Sequence, residues 1–260
     1  MPKESSRRPG ISSKNNKTER ARLDQILVRR GFTKSRTEAG ALIMAGEVQV
    51  DGAVVDKPGK QIHVSADISL SPRHISFASR GGLKLEAALT HFSIPVKDRV
   101  FMDVGASTGG FTDCLLRHGA RKVIAVDVGY GQLAWKLRQD PRVEVLERTN
   151  IRKLRPEDFP IGIHGAVIDV SFISLRLVIP PVSAILLESA TVIALIKPQF
   201  EVGKGQVGKG GIVRDPLKHR QVVEDLTAFS ESRGWKVEGC IPSPVLGQKG
   251  NQEFLIYLTR

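Results

Sequence analysis

FMDVGASTGGFTD, residues 101–113, is the stretch of this sequence that decides its fold. An apolar strand is predicted to end in an acid, a glycine-rich turn follows, and a helix is predicted to begin near Phe111. Glycines in such a turn let the backbone approach a ligand closely, and the N-terminus of the helix offers free N–H groups. We therefore expect a ligand site whose candidate residues are Asp103, Gly105, Ser107, Gly109 and Gly110.

Two glycine-rich runs of the sequence do not match the motifs that bind a dinucleotide or the phosphates of a P-loop protein. A dinucleotide fold has GxGxxG at this turn, whereas this sequence has GxxxGG, which disfavours NAD. A second glycine-rich run, residues 203–210, nearly spells a P-loop, but it lacks the final Ser or Thr that would hold Mg²⁺. We interpret that run as a mobile loop beside the active site whose lysines could face RNA, or alternatively as a solvent-exposed connector.

Short apolar runs alternate with segments of helical periodicity on both sides of the turn. Buried strands are predicted at residues 100–104, 122–126, 143–146, 165–169 and 192–196, then a helix at 217–234 and an edge hairpin of strands at 236–241 and 253–258. This rhythm predicts a doubly wound α/β sheet that binds ligands at the carboxyl ends of its strands. The apolar stretch 177–196 contains two prolines and Glu188, so we expect a helix followed by a buried strand rather than a membrane span.

The turn resembles the first motif of class I (Rossmann-like) S-adenosylmethionine methyltransferases, and supporting residues follow the next two strands. Asp127 ends the second strand about 20 residues past the turn, where a carboxylate can accept both ribose hydroxyls of an adenosine. Asn150 follows the third strand and is placed to meet the adenine edge. We expect S-adenosylmethionine as the cofactor.

Charge and cysteine content bound the class of protein. The net charge is +12, and residues 1–40 hold 11 Lys and Arg against 4 Asp and Glu, so the front of the chain is expected to meet a polyanion. The two cysteines lie far apart and the six histidines are scattered, which argues against a disulfide scaffold or a metal site and fits a reducing cytoplasm. No signal peptide or oligomerisation feature is visible.

The chain divides into three parts by pattern. Residues 1–20 are expected to form a disordered basic tail. Residues 21–79 are expected to form a small α+β domain, with one helix from Leu23 to Gly31, a second from Ser35 to Gly46, and a hairpin turning at Asp51-Gly52. A linker spans residues 71–80, and residues 80–260 form the α/β domain.

The run ARLDQILVRRGFTKSRTEAGALIMAGEVQVDG, residues 21–52, resembles an S4 RNA-binding domain. In that fold two helices present a basic face to RNA. The resemblance implies phosphate contacts, which position a protein without reading sequence. The residues that would make them are Arg22, Arg29, Arg30, Lys34 and Arg36.

Residues 80–260 resemble the FtsJ-like ribose 2′-O-methyltransferases, and the combination with an S4 domain resembles the TlyA family, long labelled haemolysins. The matching pieces are SRGGLKLEAAL, VIDVSFISL, LIKPQFE and NQEFLIYL. The resemblance implies a catalytic set of Lys84, Asp169, Lys197 and Glu253. It also implies methylation of cytidines in ribosomal RNA, with ribosomal RNA or ribosomal subunits as partners.

This set suits the chemistry, because a ribose hydroxyl is a weak nucleophile and a sulfonium methyl is a strongly activated electrophile. The enzyme mainly needs alignment and a group that receives the proton. We expect Lys197 to be that base, favoured by burial and by the nearby cation Lys84, while Asp169 and Glu253 steer the lysines. No metal is required.

Three rival functions remain open at this point. A haemolysin that damages membranes would need a signal, a span or a strongly amphipathic segment, and none is convincing. A non-catalytic RNA-binding factor with a vestigial fold is disfavoured by the complete catalytic set. A pseudouridine synthase, suggested by the S4 module, would have no use for the glycine-rich turn.

Overall fold

The computed structural model of the protein describes residues 19–44, 46–70, 77–203 and 205–260. Most of the expected tail (residues 1–18) and of the expected linker (residues 71–76), as well as Lys204 in the second glycine-rich run, lie outside the described residues. The chain forms two compact units that divide before Phe77.

The N-terminal unit combines two helices with two small antiparallel sheets. Its elements are β1 (Arg20–Arg22), α1 (Leu23–Arg29), α2 (Arg36–Met44), β2 (Val48–Val50), β3 (Ala53–Val54), β4 (Gln61–His63) and β5 (Ile68–Leu70). Strand β1 pairs with β4, and β2 lies between β3 and β5. Helix α1 buries Leu23, Ile26 and Leu27, the three-and-four spacing of an amphipathic helix, in one apolar cluster with α2 and the strands.

Local signals set the turns of this unit as predicted. Ser35 Oγ accepts a hydrogen bond from Glu38 N, so Ser35 caps the start of α2, the second predicted helix. Asp51 and Gly52 both have positive φ, as a two-residue turn with the twist of a β-hairpin requires. The predicted hairpin of β2 and β3 is therefore confirmed.

The C-terminal unit is a seven-stranded sheet with helices on both faces. Its strands are β6 (Val100–Val104), β7 (Lys122–Val126), β8 (Val143–Leu146), β9 (Gly165–Ile168), β10 (Thr191–Ile196), β11 (Lys236–Pro242) and β12 (Phe254–Thr259). Its helices are α3 (Gly81–His91), α4 (Gly110–Arg117), α5 (Trp135–Arg138), α6 (Ile179–Ile185), α7 (Pro198–Glu201) and α8 (Pro216–Ser232). The strand order is β11-β12-β10-β9-β6-β7-β8. The five strands from β10 to β8 are parallel, which confirms the predicted doubly wound α/β architecture.

Successive residues of a strand belong to two different apolar clusters, one on each face of the sheet. Phe101 on β6 packs with Leu85 of α3 and Leu115 of α4, whereas the next residue, Met102, belongs to the cluster on the other face with Val182 of α6. Because both faces are covered, the central strands are buried throughout. That burial explains why they read as unbroken apolar runs in the sequence.

Two sequence expectations need correction. No α-helix lies between β8 and β9, where the described chain forms only the short 3-10 turns Ile151–Lys153 and Pro156–Asp158. Proline in this segment removes a backbone donor and opposes a continuous helix. The last two strands do pair antiparallel, but only β11 lies at the edge, because β12 inserts between β11 and β10.

The apolar stretch 177–196 forms α6 and the buried strand β10, as predicted. Among the described residues, no helix combines the length and the apolar character needed to cross a membrane.

Candidate active site

A cavity of about 460 Å³ opens at the carboxyl ends of the parallel strands. Residues that follow β6, β7, β8 and β9 form its wall, and among them are Gly105, Ser107, Asp127, Asn150 and Asp169. The cavity thus lies where ligands bind in open α/β sheets. Four of the predicted cofactor residues line it, whereas Asp103, Gly109 and Gly110 lie outside its wall.

Asp127 lines this cavity and accepts hydrogen bonds from two backbone N–H groups. Its Oδ2 accepts a hydrogen bond of 2.7 Å from Ser107 N, and its Oδ1 accepts one of 2.7 Å from Gly129 N. A carboxylate has about four acceptor positions, so two hydrogen bonds leave capacity for hydroxyl donors of a ligand. Asn150 accepts a hydrogen bond from Arg152 N through Oδ1, which leaves its side-chain NH₂ as a donor.

The glycines of the turn permit close packing of protein segments. Gly105 has a φ of +87°, and a Cβ atom there would lie 2.5 Å from the carbonyl oxygen of Asp169. Gly109 has a φ of +93°, and a Cβ there would lie 2.2 Å from Leu137 Cδ1. Each position therefore needs glycine both for its backbone angle and for space. At Gly110 a Cβ would lie 2.3 Å from Ser79 Oγ, so this residue lets the segment before α3 approach α4.

Asp103 is a fully buried acid directly before the turn. Thr112 Oγ1 donates a 2.6 Å hydrogen bond to its Oδ2, while its Oδ1 has no hydrogen-bond partner among the described residues. Burial raises the pKa of Asp103 to about 7, against the opposing effect of the Thr112 hydrogen bond.

The four predicted catalytic side chains form two ion pairs. Lys84 Nζ lies 2.6 Å from Glu253 Oε2, and Lys197 Nζ lies 2.6 Å from Asp169 Oδ1. The Lys197–Asp169 contact is an ion pair outside hydrogen-bond angles, and Lys197 Nζ donates its hydrogen bond to Ser171 Oγ at 2.9 Å. Both lysines and Glu253 are buried, so the charges are held in fixed positions.

Strand register explains why these residues meet although they are distant in sequence. Asp169 follows β9 and Lys197 follows β10, its parallel neighbour. Ile196 of β10 pairs with Phe254 of β12, which places Glu253 beside Lys197 at the same edge of the sheet. Lys84 reaches Glu253 from helix α3.

Aromatic side chains beside the cavity were not anticipated from the sequence. Phe172 has a φ of +64° and is 86% exposed, a rare combination for a large apolar residue. Its ring centroid lies 5.0 Å from that of Phe200, and both rings line a second cavity of about 560 Å³ together with Arg152. Phe172 lines both cavities, so the second one adjoins the first. Tyr130 is also exposed, with the Arg148 guanidinium 4.3 Å from its ring centroid.

Glu201 holds the loop that carries Phe172. Ser174 Oγ donates a 2.6 Å hydrogen bond to Glu201 Oε2, and Leu175 N donates one of 2.8 Å to its Oε1. Burial raises the pKa of Glu201, and these two hydrogen bonds oppose that effect. The only signal for this role in the sequence is an acid at the end of LIKPQFE.

Asn251, two residues before Glu253, binds the segment that directly follows the second glycine-rich run. Asn251 is buried, accepts a 3.0 Å hydrogen bond from Val213 N, and donates one of 3.0 Å to Gly211 O. Helix α8 begins only at Pro216, so the run does not lead directly into a helix as a P-loop does.

The predicted RNA-contacting residues of the N-terminal unit fall into two groups. The carboxylate of Asp24 binds Arg22 at 3.0 Å and Arg36 at 2.9 Å, and the hydrogen bond from Arg22 is the main reason that the pKa of Asp24 is lowered to about 2. Arg30 donates to the backbone carbonyls of Val64 and Ala66. These three arginines therefore support the fold of the unit.

Arg29 and Lys34 form the second group. Both are exposed, and neither side chain makes an ion pair with another described residue. They are the predicted residues whose charges are most available to a partner.

Comparison with known proteins agrees with this geometry. The model of the FtsJ-like methyltransferase family matches residues 77–260, and that of the S4 domain matches residues 21–68. Over 92% of its length the chain is 46% identical to the 16S/23S rRNA (cytidine-2′-O)-methyltransferase TlyA of Mycobacterium tuberculosis, of which it covers 90%. Over 93% of its length it is 49% identical to the candidate rRNA methyltransferase YqxC of Bacillus subtilis, of which it covers 86%.

A solved structure extends the likeness to three dimensions. A candidate hemolysin of Streptococcus thermophilus has 45% sequence identity and a TM-score of 0.73, with 93% of this chain and 88% of that chain covered. The chain is therefore a methyltransferase of the FtsJ-like family and belongs to its TlyA group, in which an S4 domain precedes the catalytic domain.

Proposed function

We propose that this chain transfers the methyl group of S-adenosylmethionine to the ribose 2′-hydroxyl of a cytidine in ribosomal RNA. The observation that carries the proposal is the paired set of two lysines and two carboxylates at the strand ends, beside a cavity of ligand size. The TlyA relative is named for cytidine 2′-O-methylation, which supports the choice of nucleotide and of hydroxyl.

The cavity fits S-adenosylmethionine in size and in donor set. Small-molecule sites measure roughly 300–1,000 Å³, and this one measures about 460 Å³. Asp127 would accept the ribose hydroxyls of the cofactor, and Asn150 would meet its adenine edge. Gly105 and Ser107 would present backbone to the ligand. Asp103 lies outside the cavity wall and would support the turn through its hydrogen bond with Thr112. When bound, the cofactor supplies a methyl group activated by a positively charged sulfur.

Lys197 would receive the proton of the ribose hydroxyl. Asp169 holds Lys197 Nζ in an ion pair at 2.6 Å. A cationic ligand next to Asp169, which lines the cavity, would compete for the same carboxylate and weaken its hold on the ammonium. Ser171 would keep the amine oriented through its hydrogen bond. The Lys84–Glu253 pair would fix the neighbouring part of the site without adding net charge.

The second cavity would receive the nucleotide that presents the hydroxyl. Sequence-specific RNA recognition targets unpaired nucleotides, and exposed aromatic rings stack on their bases. Phe172 offers an exposed ring between the two cavities, and Arg152 offers a positive charge for the RNA backbone.

The N-terminal unit would bind ribosomal RNA or an assembled ribosomal subunit through phosphate contacts. Arg29 and Lys34 carry the available charges on the part of the unit that resembles an S4 domain. Such contacts set the position of the enzyme on RNA, while the catalytic domain selects the nucleotide. We place this reaction in the cytoplasm, where ribosomal subunits are found.

Two linked measurements test the proposal. Calorimetric titration with S-adenosylmethionine should show one site, and incubation of small and large ribosomal subunits with cofactor carrying a labelled methyl should place label in RNA. A variant with Asp127→Ala should bind the cofactor more weakly, while Asp215→Ala, an N-cap of α8, serves as a matched acidic control. Absence of cofactor binding by the wild-type chain would refute the proposal.

A further inference from the structure

Three side chains with metal-binding atoms meet between helices α3 and α4, outside the cavity wall described above. Glu86 lies on α3, Cys114 lies on α4, and His118 caps the end of α4. Cys114 Sγ is 3.5 Å from Glu86 Oε2, and His118 Nε2 is 3.6 Å from the same oxygen. The ligand atoms all lie within 4.8 Å of one another.

The two distances to Glu86 Oε2 match the edges of a tetrahedral metal site, and Cys114 Sγ contacts the His118 ring at 3.8 Å from Nδ1. With metal–ligand bonds of about 2.0–2.3 Å, neighbouring ligand atoms of a tetrahedron are roughly 3.3–3.7 Å apart. The two distances to Glu86 Oε2 fall within that range without any rearrangement of the helices. One sulfur, one imidazole nitrogen and one carboxylate oxygen form a donor set that suits zinc.

The surroundings of each donor also suit a metal. His118 Nδ1 lies 2.9 Å from the carbonyl oxygen of Cys114, and a proton on Nδ1 that donates to this carbonyl leaves Nε2 as the free lone pair. The sulfur is buried, whereas the side chains of Glu86 and His118 are 30% and 32% exposed, so an ion can enter from the solvent side.

Without a cation the sulfur is in an unfavourable place for a thiolate. Burial raises the pKa of the Cys114 thiol, and the neighbouring Glu86 carboxylate raises it further. A divalent cation would reverse this balance, because a coordinating thiol is deprotonated by the ion.

We propose that Glu86, Cys114 and His118 bind Zn²⁺ with the fourth position held by water. On binding, a Zn–S bond replaces the S–H bond of Cys114, and the thiol proton passes to solvent. The ion also bonds to His118 Nε2 and to a carboxylate oxygen of Glu86. No electron transfer is involved.

The site would clamp two helices that position the catalytic machinery. Helix α3 carries Lys84 two residues before Glu86, and α4 begins at the glycine-rich turn beside the cavity. These helices already pack on each other through Leu85 and Leu115. A shared ion would add a cross-link between them and would stabilise the folded chain by mass action.

No metal site was expected from the sequence, because the two cysteines lie far apart and the six histidines are scattered. Cys114 and His118 are four residues apart on one helix, which is a ligand spacing, but the third ligand comes from another helix 28 residues earlier. The packing of α3 on α4 brings the three together.

The test uses the full chain, stripped with a chelator and titrated with Zn²⁺ alone by calorimetry. Co²⁺ is then used as a spectroscopic probe, since thiolate-bound tetrahedral Co²⁺ absorbs in both the near ultraviolet and the visible range. Variants are Cys114→Ser, His118→Asn and Glu86→Gln. The matched control is Cys240→Ser, which removes the other cysteine of the chain, a half-buried one without a metal-binding neighbour among the described residues.

We expect one Zn²⁺ per chain, a raised thermal midpoint with Zn²⁺, and the Co²⁺–thiolate absorption. Cys114→Ser and His118→Asn should each weaken binding by more than about tenfold, while Cys240→Ser should bind as the wild type does. Because His118 is half-exposed, its variant remains informative even if Cys114→Ser fails to fold. Absence of stoichiometric binding, or binding that His118→Asn and Glu86→Gln leave unchanged, would overturn the proposal.

Discussion

Lys84 Nζ lies 2.6 Å from Glu253 Oε2, although 169 residues separate the two in the sequence. Their side chains are only 11% and 3% exposed. This contact joins the first helix of the catalytic domain to the start of its last strand. Of the two ion pairs, only Lys197–Asp169 has a member in the cavity wall, which is Asp169.

The Lys84–Glu253 pair should matter to stability as well as to activity. Replacing Glu253→Gln leaves the Lys84 ammonium buried without a counter-charge, and breaking a buried pair in this way typically costs about 3–5 kcal/mol. Urea unfolding of the full chain measures the loss. The double variant Lys84→Met/Glu253→Leu should recover most of the stability and still lack methyl transfer. A single variant as stable as the wild type would show that the pair is not structurally important.

Lys197→Ala should lose most of its methyl transfer while it keeps cofactor and RNA binding. Loss of a general base typically lowers the rate by about 10²–10⁴-fold. Lys197→Arg should not restore activity, because a guanidinium stays protonated and cannot accept the proton. Single-turnover transfer of labelled methyl, alongside calorimetry with the cofactor, separates chemistry from binding.

The control for Lys197 is Lys236→Ala, an exposed lysine that pairs with Glu238 at the edge of the sheet. It should transfer methyl groups at the wild-type rate. Normal turnover by Lys197→Ala would remove this residue from the mechanism.

Asp103 should make stability depend on pH. Its folded pKa of about 7 lies above the ordinary value of 3.8, so the folded chain holds this proton more tightly than the unfolded chain does. Its contribution to stability is therefore complete below about pH 4, declines as pH rises, and is lost above about pH 7. Between about pH 5 and about pH 8 the wild type should lose on the order of 2–3 kcal/mol through this group.

Asp103→Asn removes that titration and keeps an acceptor for Thr112. Its unfolding free energy, measured in urea across the same pH range, should change less than that of the wild type by a similar amount. Identical pH profiles for the two proteins would show that Asp103 is ionised in the folded state.

Arg29 and Lys34 should govern RNA affinity and its dependence on salt. The double variant Arg29→Gln/Lys34→Gln should lower the slope of log K against log salt by about 0.7–0.9 for each phosphate that the variant no longer binds. Arg30→Gln should instead destabilise the N-terminal unit, because Arg30 bonds backbone carbonyls within it. An unchanged slope in the double variant would mean that these charges do not contact RNA.

Phe172→Ala should lower kcat/KM for the RNA substrate more than it weakens cofactor binding. Stacking on one base contributes about 1–3 kcal/mol, so kcat/KM for ribosomal subunits should fall roughly 5–150-fold. Leu217→Ala, another exposed apolar side chain, is the matched control and should have no effect. Equal kcat/KM for Phe172→Ala and wild type would exclude Phe172 from substrate positioning.

Much of the fold could be predicted because its signals are local. The central strands are buried on both faces and appear in the sequence as apolar runs. The pair Asp51-Gly52 predicts a hairpin, because both residues tolerate the positive φ that the turn requires. The segment between β8 and β9 was predicted wrongly, because apolar spacing there did not reveal that the chain forms only short turns. The place of β12 inside the sheet depends on pairing with β10, which no local pattern encodes.

The structure brings together four side chains that the sequence motifs singled out, whereas their pairing could not be predicted. The motifs that contain Lys84, Asp169, Lys197 and Glu253 are visible in the sequence, but which carboxylate meets which lysine follows from strand register. The exposure of Phe172 depends on a positive φ that its residue type does not suggest. Likewise, the use of Arg22, Arg30 and Arg36 within their own domain appears only once Asp24 and the strand carbonyls are in place.

The most direct measurement locates the transferred methyl group on the nucleoside. Ribosomal subunits that lack the modification are incubated with the enzyme and S-adenosylmethionine, and their RNA is digested and analysed by mass spectrometry. We predict a cytidine whose added methyl mass resides in the ribose fragment, formed by the wild type and largely lost with Lys197→Ala. A methyl group on the base, or RNA without any added methyl, would contradict the proposed reaction.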